Sequence, residues 1–180
     1  MNGWIVLDKP KGISSAAGVA KVRRLFDGAK AGHGGTLDPL ATGVLPIALG
    51  EATKVMGYIL DSNKAYRATV VWGESRDTED AEGNVTGTSP HRPDRAAIVA
   101  ALPGFTGRLS QQPPAFSALK VDGRRAYAAA RAGEPVDLKP REIEVFTLEL
   151  VENGQDHAVL DVFCGKCTYI RALARDIAHA

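Results

Sequence analysis

The chain has 180 residues, an apolar fraction of 44% and a mean hydropathy of −0.11. These values exclude a disordered polyelectrolyte and give one globular domain, or one domain carrying a sizeable insertion. A net charge of +1 excludes a bulk polycation as well. The charge is nevertheless uneven. Residues 1–30 place Lys9, Lys11, Lys21, Arg23, Arg24 and Lys30 against Asp8 and Asp27, a local excess of four positive charges. Residues 105–141 carry the same excess, and residues 74–94 carry the opposite one. Two basic blocks are compatible with a polyanionic partner or with solvated faces. No apolar run reaches the ~18 residues of a membrane helix, and Met1-Asn2-Gly3-Trp4 does not open a signal peptide. A cytoplasmic protein without membrane association is expected.

Taken in order, residues 4–7 form a short apolar run ending in Asp8-Lys9-Pro10-Lys11-Gly12, a strand running into a turn. Ser14 or Ser15 caps a helix whose inner side is Val19, Val22 and Leu25 or Phe26, stopped by Asp27-Gly28. Gly32-His33-Gly34-Gly35-Thr36-Leu37-Asp38-Pro39-Leu40-Ala41-Thr42-Gly43-Val44-Leu45-Pro46 follows, with glycines and prolines around one carboxylate. Proline fixes its own φ and keeps the preceding residue extended, so Asp38 sits in a stiffened, non-helical turn. Surface turns and active-site loops share this chemistry. The apolar residues 44–49 can anchor the turn in a core.

Residues 51–60 then read as a helix through Ala52, Val55, Met56 and Ile59, and residues 66–72 as a strand rich in β-branched and aromatic residues. The acidic residues 77–83 lack calcium-loop spacing and read as a solvated hairpin loop. Asp94 caps a short helix ended by Pro103-Gly104. Residues 111–141 change character: Gln111-Gln112-Pro113-Pro114 breaks regular structure, and a basic helix over 124–131 is closed by Gly133. This reads as an insertion on a core. Residues 143–151 and 157–164 are strands joined by a turn-rich connection, and Thr168 opens a final helix over 169–178. Antiparallel strands with helices on a face give an α+β fold. Cys164 and Cys167 form Cys-x-x-Cys, but His33, His91, His157 and His179 supply no His-x₃₋₅-His pair. Two reduced thiols at a strand end, without metal, are expected.

The uninterrupted string around Asp38 resembles the catalytic motif of the TruB-type tRNA pseudouridine synthases. Further ordered segments resemble the same family. They are Leu7-Asp8-Lys9-Pro10 with Gly12-Ile13-Ser14-Ser15, Glu51-Ala52-Thr53-Lys54, Lys64-Ala65-Tyr66-Arg67, and the acidic loop with Asp77-Thr78 and Asp80-Ala81-Glu82-Gly83. Pro113-Pro114, Ser117-Ala118-Leu119-Lys120, Gly123 and Ala130-Arg131-Ala132-Gly133 resemble the family's RNA-gripping thumb, and Lys166 with Thr168-Tyr169-Ile170-Arg171 its closing motif.

The resemblance implies a pseudouridine-synthase fold with a mixed, mostly antiparallel sheet. It spans residues 1–180 as one catalytic domain with a thumb-like insertion at 111–141. The implied reaction is isomerisation of the uridine at position 55 in the tRNA T loop. It breaks the N1–C1′ bond and rejoins the base through C5, so it is balanced without ATP, NAD or a metal, and no cofactor is expected. Asp38 either attacks C1′ or removes a ribose proton. Arg171 would pair with Asp38, and Tyr66 would stack on the extruded base near the chemistry at C5. His33, with Gly34, Thr36 and Tyr169, would hold the flipped nucleotide, whose extrusion costs a few kcal/mol. Phosphate contacts are expected from Lys9, Lys11, Lys120, Arg124, Arg125 and Arg131. The implied partner is the T-arm stem-loop of tRNA, met by a monomer.

Three departures stand out. Cys167 occupies a position where the family usually has glycine, and Phe116 one where tyrosine is common. The chain also stops at Ala180, short of the further catalytic-domain structure and C-terminal RNA-binding domain expected of the family. Two other readings follow: an RNA-binding or RNA-folding fragment without turnover, or a subunit of a guide-dependent RNA pseudouridine synthase. The tRNA-type thumb sequence argues against the latter.

Overall fold

A computed structural model describes residues 1–121, 123–134 and 136–180; the side chains of residues 120, 121 and 125 lie outside the description. The chain divides into two compact units, Met1–Ser62 and Asn63–Ala180.

In the first unit, β1 (Gly3–Lys9), β3 (Gly43–Leu49) and β2 (Ala31–His33) form an antiparallel sheet in the order β1-β3-β2. β1 alternates strictly between exposed and inward residues, the period-2 pattern of a strand with one face on a core. Its inward residues Ile5 and Leu7 pair with Ile47 and Leu45. Helix α1 (Ser15–Leu25) covers that face with Val19 and Val22, and Phe26, Ala31 and Leu37 complete the core. Ser14 is the cap, its Oγ accepting from the Ala17 N–H at 3.1 Å. Gly18 permits the close approach, because a Cβ there would lie 3.1 Å from a Leu7 methyl. Full burial of Leu45 and Ile47 stabilises by about 1.5–3 kcal/mol each.

The helix expected over 51–60 is mostly not α-helical. Residues Gly50–Val55 are 3₁₀, and only Met56–Leu60 form α2. The Thr53 hydroxyl donates to the Gly50 carbonyl at 2.8 Å, favouring a tight i−3 turn, and β-branched Thr53 and Val55 disfavour the α-helix further.

In the second unit, β4 (Lys64–Val71), β11 (His157–Cys164), β10 (Arg141–Asn153) and β7 (Gly107–Gln111) form an antiparallel sheet in the order β4-β11-β10-β7. The core is built on Val70, Val145, Leu160 and Val162, with α3 (Arg95–Ala101) contributing Ile98 and α5 (Ile170–His179) contributing Leu173 and Ile177. Asp94 caps α3, accepting from the Ala97 N–H at 2.8 Å. β5 (Glu74–Arg76) and β6 (Val85–Thr88) form the hairpin that carries the acidic loop. Between β7 and β10, β8 (Lys120–Val121) pairs with β9 (Arg124–Arg125), and α4 covers Ala126–Arg131. The basic helix thus begins two residues later than expected, because Arg124 and Arg125 are taken up by strand pairing. All paired strands among the described residues are antiparallel, and the fold is α+β as expected.

Candidate active site

In the first unit the loop bearing Asp38 is held at its backbone. The buried Ser15 hydroxyl donates to the Leu37 carbonyl at 3.0 Å and accepts from the Leu37 N–H at 2.8 Å. Two residues further on, the Pro39 carbonyl accepts from the Gly12 N–H at 2.8 Å and from Lys9 Nζ at 3.3 Å. The Ala41 N–H donates to the Asp38 carbonyl at 3.0 Å and closes the turn. Asp38 is therefore fixed on both sides while its side chain is half-exposed.

Lys9 does not have the phosphate-binding position expected of it. It is fully buried, and its ammonium donates to the carbonyls of Pro10 (3.0 Å), Ile13 (2.8 Å) and Pro39 (3.3 Å). An ammonium has three N–H donors, so all three are committed. Burial pushes the Lys9 pKa down, and the nearby Asp38 charge opposes that fall. Lys9 is thus a positioning cation beneath the Asp38 turn. Lys11, two residues on, is exposed.

His33 ends β2, and its Nδ1 donates to the Gly35 carbonyl at 2.6 Å, which fixes the ring within its own loop. The Gly34 N–H donates to the Pro46 carbonyl at 2.8 Å, and a Cβ at Gly34 would run into the Ile59 side chain. Packing alone therefore requires glycine there. Thr36 is exposed at the rim of the same loop.

In the second unit, two α5 arginines four residues apart reach the acidic loop. Arg171 donates to the Thr78 carbonyl (2.7 Å) and the Phe116 carbonyl (2.9 Å), with Asp80 Oδ2 4.0 Å from its Nε. Arg175 donates to Glu79 Oε1 (2.7 Å), Asp176 Oδ1 (2.8 Å) and the Gln112 carbonyl (3.1 Å). Its pKa is raised by these carboxylates against an opposing burial effect that is the largest single contribution. The acidic loop is accordingly not just a solvated connection: the Asp80 and Glu79 side chains are only 13% and 16% exposed. Glu79 adopts φ +57°.

Tyr169 stands at the cap of α5, and the buried Gln111 amide grips its backbone twice. Gln111 Oε1 accepts from the Tyr169 N–H at 2.9 Å, and Gln111 Nε2 donates to the Tyr169 carbonyl at 3.1 Å. Burial pushes the Tyr169 phenol up, against the Arg141 charge. Tyr66 is half-buried on β4, opposite Val162, and packs on the core. Beside it, Arg67 and Asp161 form a two-pronged pair at 2.7 and 2.6 Å on the exposed face. Cys164 is buried at the end of β11, where burial raises its thiol pKa; Cys167 is exposed at φ +64°, and both are free.

Within residues 111–141, Arg131 lies over the Tyr127 ring at 5.6 Å and Arg124 holds Glu134 at 2.9 and 3.3 Å. The side chains of Lys120 and Arg125 lie outside the described residues. No group of three or more His, Cys, Asp or Glu that could hold a metal ion occurs among the described residues. Within those residues, too, no helix is long and apolar enough to cross a membrane.

The structure thus fixes one carboxylate by its backbone in the first unit and laces an acidic loop with two arginines in the second. Residues 23–170 match the TruB family pseudouridylate synthase (N terminal domain), and the chain belongs to that family. It is 55% identical over 179 residues to tRNA pseudouridine synthase B of Mesorhizobium japonicum, covering 99% of this chain and 55% of that protein. With the protein of the same name from Bradyrhizobium diazoefficiens the identity is 56%, covering 99% and 52%. The chain thus spans about half the length of the curated relatives it matches. Among solved structures, a Cbf5-Nop10-Gar1 complex contains a chain that is 30% identical, with a TM-score of 0.73 over 98% of this chain and 44% of that one. An H/ACA RNP bound to a substrate RNA containing 2'-deoxyuridine gives 27% identity and a TM-score of 0.71 over 98% and 42%.

Proposed function

We propose that this chain carries the catalytic machinery of a tRNA pseudouridine synthase, with Asp38 as the reacting carboxylate. The observation that supports this most is the double clamp on the Asp38 turn, by Ser15 on Leu37 and by Lys9 and Gly12 on Pro39. Holding a reactive group in one geometry removes much of the entropic cost of reaching the transition state. Family membership and the 55% identity to a tRNA enzyme support tRNA as the substrate.

The target uridine, at position 55 of the T loop, leaves its stack and enters the site. Asp38 either attacks C1′, forming a C1′–O bond as N1–C1′ breaks, or removes a ribose proton to give a glycal. The freed uracil turns and C5 joins C1′, breaking the C1′–O bond to Asp38 or, on the glycal route, with the ribose proton returned from Asp38; the C5 proton is then lost while N1 gains one. Atoms and electrons balance, so no cofactor is called for. Tyr66 stacks on the turned base with its hydroxyl toward C5, and Arg171, held by the Thr78 and Phe116 carbonyls, orients the Asp38 carboxylate. His33, Gly34, Thr36 and Tyr169 shape the nucleotide's seat. Residues 111–141 act as a thumb on the T-arm, with Lys120, Arg124, Arg125 and Arg131 on phosphates and Lys11 adding one from the first unit. The protein acts as a monomer.

The test is tritium release from C5-labelled uridine in a T-arm stem-loop, by this chain and by Asp38→Ala. Release by the parent alone, with RNA binding by the variant within about tenfold, is expected, since phosphate contacts supply most affinity. Release by both, or by neither with binding intact, refutes the catalytic reading of this chain.

A further inference from the structure

The basic block at residues 1–30 is not accounted for by the site. Its one motif cation, Lys9, is spent on carbonyls beneath Asp38. Lys11 lies in the turn before α1 and is already placed on a phosphate; the other four cations lie on α1 or just beyond it. The helix buries Ser15, Gly18, Val19 and Val22, and turns Lys21, Arg23 and Arg24 outward among the small exposed residues Ala16 and Ala20. Lys30 follows the helix.

Most arginines of the second unit are paired, although Arg95, Arg131 and Arg141 there have no ion-pair partner among the described residues. In the second unit Arg67, Arg76, Arg92, Arg124, Arg171 and Arg175 each stand within ion-pair distance of a carboxylate. Lys21, Arg24 and Lys30 have no ion-pair partner among the described residues, and Arg23 only donates to the Ala29 carbonyl. Arg23 and Arg24 in the last turn complement the helix dipole. Lys21, in mid-helix, and Lys30, beyond it, have no such local reason to be there.

α1 is also a fixed arm from the Asp38 loop, because its first residue, Ser15, is the one that grips Leu37. Six to nine residues along, at about 1.5 Å each, Lys21 and Arg24 stand about 9–14 Å down the axis from that grip. For a stem laid along the helix, at about 2.8 Å per base step of A-form RNA, this is about three to five base pairs. The exposed alanines just N-terminal to the cations, Ala16 and Ala20, let a polyanionic strand come close.

We infer that the outer face of α1, through Lys21 and Arg24, is a second RNA-binding surface. It takes the phosphate backbone of duplex RNA about three to five base pairs from the nucleotide held at Asp38. This rests on the RNA-modifying reading above. It adds a site separate from the thumb. The surface sets how much stem the enzyme needs, where the loop motif sets which nucleotide it takes.

The test compares the parent chain with Lys21→Gln/Arg24→Gln and with the charge-conserving Lys21→Arg/Arg24→Lys. Binding is measured across salt with two RNAs, a full T-arm stem-loop and one whose stem is cut back to the loop-closing pair. For the full stem, the glutamine variant should flatten the slope of log affinity against log salt by about one per removed cation. On the short stem it should bind like the parent, and the charge-conserving variant should keep the parental slope on both. An unchanged slope on the full stem, or an equal loss on both RNAs, overturns the inference. A parent that binds neither RNA overturns the RNA reading itself, and a parent that binds without tritium release overturns the catalytic reading while this measurement still decides the surface.

Discussion

Replacing Ser15 by alanine removes one oxygen and strands two backbone groups. The hydroxyl is 2% exposed and serves the Leu37 carbonyl at 3.0 Å and the Leu37 N–H at 2.8 Å. A buried polar group left without a partner costs about 1–3 kcal/mol. Leu37 is half-buried, so water recovers part of that, and the low end for each group gives about 2 kcal/mol in total. That is about a 30-fold loss in the folding equilibrium. Helix α1 keeps its cap, because that is Ser14. The chemical effect should be larger: a misplacement of about 1 Å at a reacting group can cost ~10²-fold in rate. Urea unfolding with an unchanged m-value reads the first effect, and single-turnover tritium release reads the second. The expected pattern is a fall in kcat with little change in KM. A Ser15→Ala protein with the parental kcat and midpoint would show that the clamp does not position Asp38.

Lys9→Met should remove a pH dependence. The folded pKa of Lys9 is depressed, so between it and the ordinary lysine value the unfolded chain binds more protons and stability rises with pH; the rise should be present in parent unfolding curves and missing from the variant, and equal slopes would contradict the burial account. Arg175→Ala leaves Glu79, whose Oε2 already lacks a hydrogen-bond partner, without its cation in a mostly dry place, and should cost about 2–3 kcal/mol. Adding Glu79→Ala should recover part of it, and strict additivity in that double-mutant cycle would dismiss the pair. Cys167→Gly should stabilise by up to about 1 kcal/mol, since the residue sits at φ +64° where a Cβ is unfavourable; a lower unfolding midpoint would refute this.

The strand at β1, a serine cap on α1 and the β10–β11 hairpin were legible in the sequence because each depends on neighbours along the chain, whereas the alternation of β1 and the choice of Ser14 over Ser15 were not. The stiffened turn at Asp38 was legible for the same reason. What escaped depends on distant partners. Lys9 in a basic stretch reads as a phosphate contact, yet Pro39, thirty residues on, accepts from its ammonium. The acidic loop reads as a solvated hairpin tip, but Arg171 and Arg175 reach it from 93 and 96 residues away. Gln111 looks like part of a chain break, and nothing local announces that its amide holds Tyr169 across 58 residues. Cys167 is the intermediate case, because the glycine expected at its position already pointed to the left-handed backbone the structure has.

The grips on the Asp38 turn are addressed to main-chain atoms: the Leu37 N–H and carbonyl, and the Pro39 carbonyl. No side chain of the turn is needed to receive them. The placement of the carboxylate is therefore insulated from the identity of the exposed residue beside it, Thr36. The loop can be re-tailored at that rim, by drift or by design, while Asp38 stays where Ser15 and Lys9 put it.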